Sequence, residues 1–454
     1  MLFRSLLQIN FQFNMLRFAP SPTGNLHIGN VRIAVLNYLY AQKKQLDFFL
    51  RIDDTDSERS DEKYVESILE DLSWLGIQFL KIVRQSDRLS VYKDVFNELK
   101  KKNLIYPCFE TQEELGLKRK IQMKQGKPPI YDRSSLKLNK KEINDLISTG
   151  KSPHWRLKLD EKPISWNDEI HGLIKFDDLS ISDPVLFRSD EMPLFTITSV
   201  VDDADLNVTH ILRGDDHITN TAAQIKLFQY LGSSVPKFAH FPLMRTKSGS
   251  GLSKRFNSFS LKELKKKKIL PIIIFNYLSK IGSSLSIDNV ENFEGLIKNF
   301  KVDSFSKNSV LFNDNDLLRM NSKNLKELSS EELKQNFKFN CDEKFWQIIR
   351  GNVEQFDEIQ EWYNIVSEGI NTKVAVDKKL LDLIKISIPE KIDLDTWQIW
   401  TKKVLEKTDI KPKDLFITIR MLLTGKKFGP SMNELLTLFT KKEILERIET
   451  NSEK

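Results

Sequence analysis

Two strand–loop–helix units follow one another near the start of the chain, and their spacing restricts the fold more than any other feature. Residues 16–19 form a short β-like run ended by Pro20, and residues 31–40 carry apolar side chains at helical spacing up to the polar stop Gln42-Lys43-Lys44-Gln45. Phe48-Phe49-Leu50-Arg51-Ile52 reads as a second strand, ending in Asp53-Asp54-Thr55-Asp56. Residues 64–75 are then amphipathic and helical, and Gly76 supplies a stop. Strands alternating with helices bury their apolar faces most readily as a doubly wound parallel sheet. Ligands of such sheets sit outside the carboxyl ends of the strands, where residues 20–29 and 53–56 both fall. Two separate segments thus point to one crevice.

At 454 residues the chain is too long for one ordinary core, and about three domains are expected. From residue 106 to 188 the pattern changes to a basic helix near 117–124, the turn-rich Gly126-Lys127-Pro128-Pro129 and short alternating strands near 155–159, as in an α+β insertion. The α/β pattern resumes with the apolar runs 194–201 and 208–212, followed by a helix over 221–231. After residue 313 strand signals largely vanish and the remainder is helical, with a break at 425–430. The expected divisions are 15–105, 106–188, 189–312 and 313–454, with residues 1–14 a dispensable extension ahead of Met15. That extension has no long apolar core and no small-residue cleavage site, so it does not read as a signal peptide. No apolar run approaches the roughly 20 residues that a membrane span requires. Only Cys108 and Cys341 occur, far apart, which excludes a disulfide framework and indicates no Cys-rich zinc site. The chain therefore reads as cytosolic. Its net charge of +7 suits a polyanionic partner without demanding one, and the run Lys265 to Lys268 reads as a solvated helix face.

The loop Pro20-Ser21-Pro22-Thr23-Gly24-Asn25-Leu26-His27-Ile28-Gly29-Asn30 combines a tight turn at Gly24, a histidine able to donate to phosphate, and a bare backbone at Gly29. The helix beginning near Asn30 adds its positive end. Far downstream, Gly251-Leu252-Ser253-Lys254-Arg255 follows a Ser/Gly-rich loop, and between the two lie Val200-Val201-Asp202-Asp203 and Arg213-Gly214-Asp215-Asp216-His217. Either loop taken singly is weak evidence: a lone histidine beside a helix start is more often a cap. Arg17, Arg213 and Asp53 lie on or beside strands that such a sheet brings to the crevice. They offer the guanidinium and carboxylate groups that a substrate with two carboxylates and one ammonium requires, with Arg17, ten residues ahead of His27, the candidate ligand of the side-chain carboxylate.

Pro-Ser-Pro-Thr-Gly followed by His-Ile-Gly closely resembles the HIGH signature of glutamyl-tRNA synthetases, and Leu-Ser-Lys-Arg resembles their KMSKS signature. From Met15 onward nearly the whole chain is similar to the bacterial glutamyl branch of that class I aminoacyl-tRNA synthetase family. The resemblance implies a Rossmann-like catalytic domain with an acceptor-end-binding insertion, followed by an all-α anticodon-binding region. It implies ATP-dependent activation of glutamate to glutamyl-adenylate and transfer to the terminal adenosine of tRNA(Glu), with ATP and Mg²⁺ required, in a monomeric cytoplasmic enzyme. tRNA(Gln) is a further candidate substrate. His27, Gly29, Ser253, Lys254 and Arg255 then occupy catalytic positions. Pro20, Ser21, Thr23, Gly24, His27, Gly29, Asn30, Leu252 and Lys254 occupy ATP-binding positions, and Arg17, Ser21, Asp53, Phe195, Ser199 and Arg213 glutamate-binding ones.

Three departures stand out. Asp53 replaces a common Glu, and Phe195 and Ser199 replace a common Tyr and Asn, so position 195 cannot donate a hydrogen bond. The cysteines with which some relatives bind zinc are not matched beyond Cys108, and no zinc is expected. Tyr106, Lys118, Arg119, Lys120, Lys124 and Lys127 offer aromatic and basic groups for an acceptor end, and Arg420, Thr424, Gly425 and Pro430 match a C-terminal family pattern in which Arg420 reads as structural. The alternatives are a glutamyl transferase acting on a modified tRNA base, which residues 313–454 argue against, a glutaminyl enzyme, a tRNA-binding module that has lost catalysis, and a small-molecule nucleotidyltransferase.

Overall fold

The computed structural model describes residues 14–177, 180–246, 249 and 260–453. The chain divides into two compact units, residues up to 263 with 274–313, and residues 264–273 with 314–454.

In the first unit the chain runs through β1 (Met15–Phe18), α1 (Ile28–Lys44), β2 (Asp47–Ile52), α2 (Glu62–Leu75), β3 (Ile82–Arg84), α3 (Leu89–Lys101) and β4 (Ile105–Cys108). It continues with α4 (Gln112–Lys124), α5 (Lys140–Ser148), β5 (His154–Leu157), β6 (Ile164–Asp168), β7 (Gly172–Phe176) and β8 (Val185–Phe187). Then come α6 (Phe195–Asp205), β9 (Val208–Gly214), α7 (Ile218–Tyr230) and β10 (Lys237–Phe241). Seven strands form one sheet in the order β3-β2-β1-β9-β10-β6-β7, and every pairing from β3 to β6 is parallel. The expected doubly wound α/β sheet is therefore present. Successive strands step from β1 outward to β3 on one side, while β9 and β10 build the other, so the order reverses between β1 and β9. Such a switch point leaves a crevice at the strands' carboxyl ends.

Local chemistry explains the helix boundaries. Asp61 caps α2 by accepting from the Lys63 amide, and Gly76 ends it at φ 77°, in the left-handed region that glycine enters without a Cβ clash. Helix α1 is buried on nearly all sides because it is covered on more than one face. Tyr38 meets Phe48 of β2 on one flank and Phe275 and Phe293 on another, and Asn37 Nδ2 donates to Leu212 O of β9.

Two expectations need correction. The run 194–201 does not continue the sheet; it lies in helix α6. Its β-branched residues favour a strand locally, but Ile197, Val200 and Val201 recur at three- and four-residue spacing and are all buried, so tertiary burial overrides propensity. The hairpin β6–β7, expected within the insertion, is hydrogen-bonded to the edge of the main sheet at β10. The remaining strands of that stretch form a separate antiparallel sheet, β4-β5-β8. This small sheet shares the main core: Phe96 of α3 packs edge-on to Trp155 and Phe187, with ring centroids 5.3 and 4.7 Å apart.

Within the same stretch Glu110 takes hydrogen bonds from the hydroxyls of Tyr131 (2.7 Å), Ser134 (2.6 Å) and Ser135 (2.7 Å). Burial resists its charge, yet those hydroxyls hold its carboxyl down to about 2. Tyr106, expected as an exposed aromatic contact, is instead buried, and its hydroxyl donates to Asp183 at 2.7 Å.

The second unit is helical, as expected for the region after residue 313. Its core gathers around Trp346 and Trp400, both fully buried, whose indole N–H groups donate to Leu328 O at 2.6 Å and Ile384 O at 2.8 Å. The break after residue 424 is also present. Gly425 ends the helix Pro412–Thr424 at φ 67°, and Arg420 Nη2 bridges back to Pro430 O at 2.7 Å.

Candidate functional site at the sheet switch point

The carboxyl ends of β1, β9 and β10 and the amino end of α1 enclose a cavity of about 380 Å³, within the usual range for small-molecule sites. Arg17, Arg32, Arg51, Arg213 and Arg245 line it, against a single acid, Asp216. Arg17 and Arg51 are paired with Asp203 and Asp53 behind the wall, and the remaining guanidiniums still outnumber the lining acid, which makes it a site for anions.

His27 caps α1. Its Nδ1 accepts from the amides of Gly29 (3.0 Å) and Asn30 (3.3 Å), two of the donors that the start of a helix leaves unpaired. Burial holds its pKa below the ordinary value, so the ring is neutral at pH 7. With Nδ1 occupied as an acceptor, the ring proton belongs to Nε2. The cap thereby converts His27 into a fixed N–H donor beside the cavity. Gly29 is required by a close approach: a Cβ there would lie 2.8 Å from His27 Cε1 and 2.9 Å from Nδ1. The bare backbone at Gly29 is thus occupied by the histidine ring of the same loop.

The arginines differ in how they are paired. Arg17, within the fully buried β1, donates from Nε and Nη2 to Asp203 at 2.9 and 3.2 Å. Arg51 grips Asp53 with Nε and Nη2 at 2.6 and 3.1 Å and also donates Nη1 to Asp203 at 2.8 Å. Burial works against the Arg51 cation, but Asp53 and Asp203 outweigh it and hold its pKa above the ordinary range. Burial pushes the Asp53 carboxyl up to about 6, with Arg51 opposing the rise, so Asp53 is ionised at neutral pH.

Arg213 stands apart. It is 7% exposed, its Nη2 donates to Thr221 Oγ1 (2.5 Å) and Gln224 Oε1 (2.6 Å), and its Nε donates to His240 Nε2 (3.3 Å). Among the described residues no acid lies within ion-pair distance, and Nη1 is buried without a partner. Burial, then the nearby Arg17, pushes its pKa down to about 9, so it remains a cation at pH 7.

The cavity brings together Arg17, Pro20, His27, Gly29, Asn30, Phe195 and Arg213 of the residues named from sequence. Ser21, Thr23 and Asp53 instead line a neighbouring cavity of about 180 Å³, and Phe195 borders both. Gly24 lines neither. Ser199 also lines neither: it is fully buried in α6, donates to Phe195 O at 2.6 Å and accepts from Gln224 Nε2 at 2.7 Å, so it reaches Arg213 only through Gln224. Leu252, Ser253, Lys254 and Arg255 lie outside the described residues. The flanking chain does frame the cavity: Met244 and Arg245 line it, and Ser260 forms an isolated antiparallel bridge with His27.

The sequence assigns no site role to Arg51, Arg32 and His217 at the cavity or to Asp203, Thr221, Gln224 and His240 behind it, although Arg51, His217 and Asp203 fall within its motif segments. One signal is available for Arg51, a charge within the otherwise apolar run Phe48 to Ile52, since buried charges occur where a partner waits. Its partner Asp203 lies 152 positions away, beyond the reach of local patterns.

Residues 15–319 match the family described as tRNA synthetases class I (E and Q), catalytic domain, and residues 343–451 match an anticodon binding domain. A glutamate–tRNA ligase 1 of Rickettsia prowazekii (strain Madrid E) is 42% identical over 95% of this chain and 98% of its own length. Another, from Wolbachia sp. subsp. Brugia malayi (strain TRS), is 41% identical over 95% and 99%. A glutamate tRNA ligase from Elizabethkingia meningosepticum CCUG26117, crystallised in complex with its amino acid, has the same fold. Its TM-score is 0.81 at 23% identity, covering 96% of this chain and 98% of that one. With a catalytic-domain match across the crevice and relatives aligned over almost their full length, the chain belongs to the class I tRNA synthetases of the E and Q family.

Proposed function

We propose that the chain is a glutamate–tRNA ligase whose cavity holds the glutamate side-chain carboxylate on Arg213. The observation that carries this reading is the buried Arg213 at the crevice, which among the described residues has no ion-pair partner and leaves Nη1 unpartnered. A cation desolvated without a counter-charge is costly unless a ligand supplies one. Arg17 adds a second guanidinium, and Asp53, across Phe195 in the adjoining cavity, offers a carboxylate for the substrate ammonium.

In the first step the α-carboxylate of glutamate attacks the α-phosphorus of ATP in line, giving glutamyl-adenylate and releasing pyrophosphate. His27 contributes the Nε2–H donor and α1 its amino end, both aimed at phosphate charge. Lys254, by resemblance, would supply a further cation, and Mg²⁺ carried on the ATP phosphates would add to the charge neutralisation. In the second step a hydroxyl of the tRNA terminal adenosine attacks the activated carbonyl and AMP leaves; the side chains orient and neutralise without forming a covalent intermediate. Residues 106–188 would hold the acceptor end and residues 313–454 the anticodon. Charging of tRNA(Gln) beside tRNA(Glu), a monomeric state and a cytoplasmic location belong to the same reading. Pyrophosphate exchange with glutamate or glutamine, with and without tRNA, tests it. Exchange that prefers glutamine, or no charging of any glutamate tRNA, would overturn it.

Gly29→Ala is expected to force the His27 ring off its cap and to lower kcat/KM for ATP by about 10²-fold, the usual order for a misplacement near 1 Å. The glutamate KM should change much less, and initial rates under varied ATP and glutamate would separate the two. Asp53 makes a pH prediction of two signs. Its folded pKa of about 6 lies above the ordinary value of 3.8, so its linked contribution to stability is present at low pH and lost as pH rises through 6. Its capacity to hold an ammonium runs the other way. The glutamate KM should therefore rise about tenfold per pH unit below 6, while unfolding measured over the same range gains stability from this group.

A further inference from the structure

Behind Arg213 lies a buried acid–imidazole pair with no part in either chemical step. Asp168 ends β6 and His240 lies in β10, neither side chain is exposed, and His240 Nδ1 stands 2.5 Å from Asp168 Oδ2. Asp168 Oδ1 also accepts from the amides of Ile170 and His171, each at 3.0 Å, and of His240 at 3.3 Å. A carboxylate gathering this many donors stays ionised and can only accept, so the proton between the two side chains sits on His240 Nδ1. Burial keeps His240 below its ordinary pKa, and the neutral ring then carries a bare lone pair at Nε2. That lone pair is shared by two donors, the Arg213 Nε–H at 3.3 Å and the Thr221 hydroxyl at 2.8 Å.

We propose that the Asp168–His240 pair positions Arg213 for the substrate carboxylate by fixing the imidazole tautomer whose lone pair receives the Arg213 Nε–H. This rests on the reading of Arg213 as the glutamate side-chain ligand. A guanidinium has five N–H donors. Here the single Nε–H goes to His240, Thr221 and Gln224 take Nη2, and Nη1 is left for a ligand. All three partners are neutral. An acidic side chain in the place of His240 would orient Arg213 equally well and cancel its charge, whereas a neutral acceptor orients it and leaves the charge to the ligand. The carboxylate that sets the tautomer stays one ring away, on the far side of the imidazole. Phe238, stacked on the His240 ring with centroids 6.0 Å apart and 5.7 Å from the Arg213 guanidinium, closes the flank. His240 and Asp168 are positioning residues, since they act on the ligand only through Arg213.

The test uses the full-length protein in tRNA-supported, glutamate-dependent pyrophosphate exchange. Asp168→Asn preserves size and the Oδ1 acceptor but places an NH₂ against Nδ1, which moves the ring proton to Nε2 and sets it against the Arg213 Nε–H. The expected result is a glutamate KM raised at least tenfold with the ATP KM within twofold, together with a switch of the protonated ring nitrogen of His240 in ¹⁵N spectra. His240→Gln, which retains an acceptor oxygen, should keep the glutamate KM closer to the parent than His240→Phe does. A switched tautomer with unchanged glutamate KM, or equal increases for glutamate and ATP, would overturn the inference. Should Asp168→Asn fail to fold, the two His240 variants decide, and equal glutamate KM values in them would overturn it. The two readings fail separately. If Arg213→Ala leaves glutamate KM unchanged, the substrate assignment falls; if Arg213→Ala raises it and Asp168→Asn does not, only the positioning role falls.

Discussion

Arg213→Ala is expected to raise the glutamate KM by at least about 30-fold while leaving the protein as stable as before, or more so. Removing one partner of a desolvated charge pair costs about 2–5 kcal/mol of binding, which corresponds to roughly 30- to 5,000-fold in affinity. The free protein loses no ion pair, because none of the described acids pairs with Arg213, and it sheds a cation that burial already disfavours. Arg213→Met, which fills the same volume with apolar atoms, should raise the melting temperature most, the usual trade between a strained binding group and stability. Arg213→Lys keeps a charge and loses the fork, so it should fall between the parent and Ala in KM. Initial-rate kinetics and thermal unfolding of the same variants test both signs. A large loss of stability in Arg213→Ala would show that the guanidinium is a structural ion, and the substrate assignment would lose its support.

Asp203→Ala is expected to do the reverse and destabilise the fold by about 3–5 kcal/mol, the cost of leaving buried cations without their counter-charge. Asp203 is 2% exposed and joins Arg17 of β1 to Arg51 of β2, so its loss strands two guanidiniums in adjacent strands at once. Asp53 still holds Arg51 on its other edge, whereas Arg17 keeps no carboxylate among the described residues, so Arg17 should be the more displaced of the two. Urea unfolding should show the lower midpoint. Asp203→Asn, which retains the acceptor oxygen and loses the charge, should recover part of the difference. Parent-like stability in Asp203→Ala would mean that water reaches Arg17 and that the network is not desolvated.

Arg213 and Asp203 also mark how far the candidate site could be read in advance. Arg213 was named from its motif, and its place at the end of β9 followed from the parallel sheet. Its lack of an acidic partner could not be read, because that depends on which side chains from α7 and β10 surround it. Asp203 was visible as part of Val-Val-Asp-Asp, yet its pairing with Arg17, 186 positions away, arises only when α6 packs against β1. The run 194–201 misled in a different way. Its β-branched composition is a local preference of tenths of a kcal/mol per residue, and burying one helix face outweighs it. Ser199, a glutamate-binding position by resemblance, turns inward on its helix to Gln224 and does not line the cavity. Asp53 and Ser21 were expected to share one pocket with Arg17 and Arg213, and Phe195 instead stands on the border between two cavities.

Order along the chain and the periodicity of apolar residues were enough to specify the doubly wound sheet, the histidine loop at its switch point and the helical second unit. These are properties of neighbouring residues: strand and helix periods, a cap, a turn, a stop. The state of each charged group belongs to another class. Whether a guanidinium is quenched by an acid or held by neutral acceptors, and which nitrogen of a histidine keeps its proton, depends on partners brought together from distant strands in a medium that excludes water. Arg17 and Arg213 look alike in the sequence. Asp203 neutralises the first, and the Asp168–His240 pair orients the second without neutralising it, a difference that arises only when β1, β6, β9, β10 and α6 close around them.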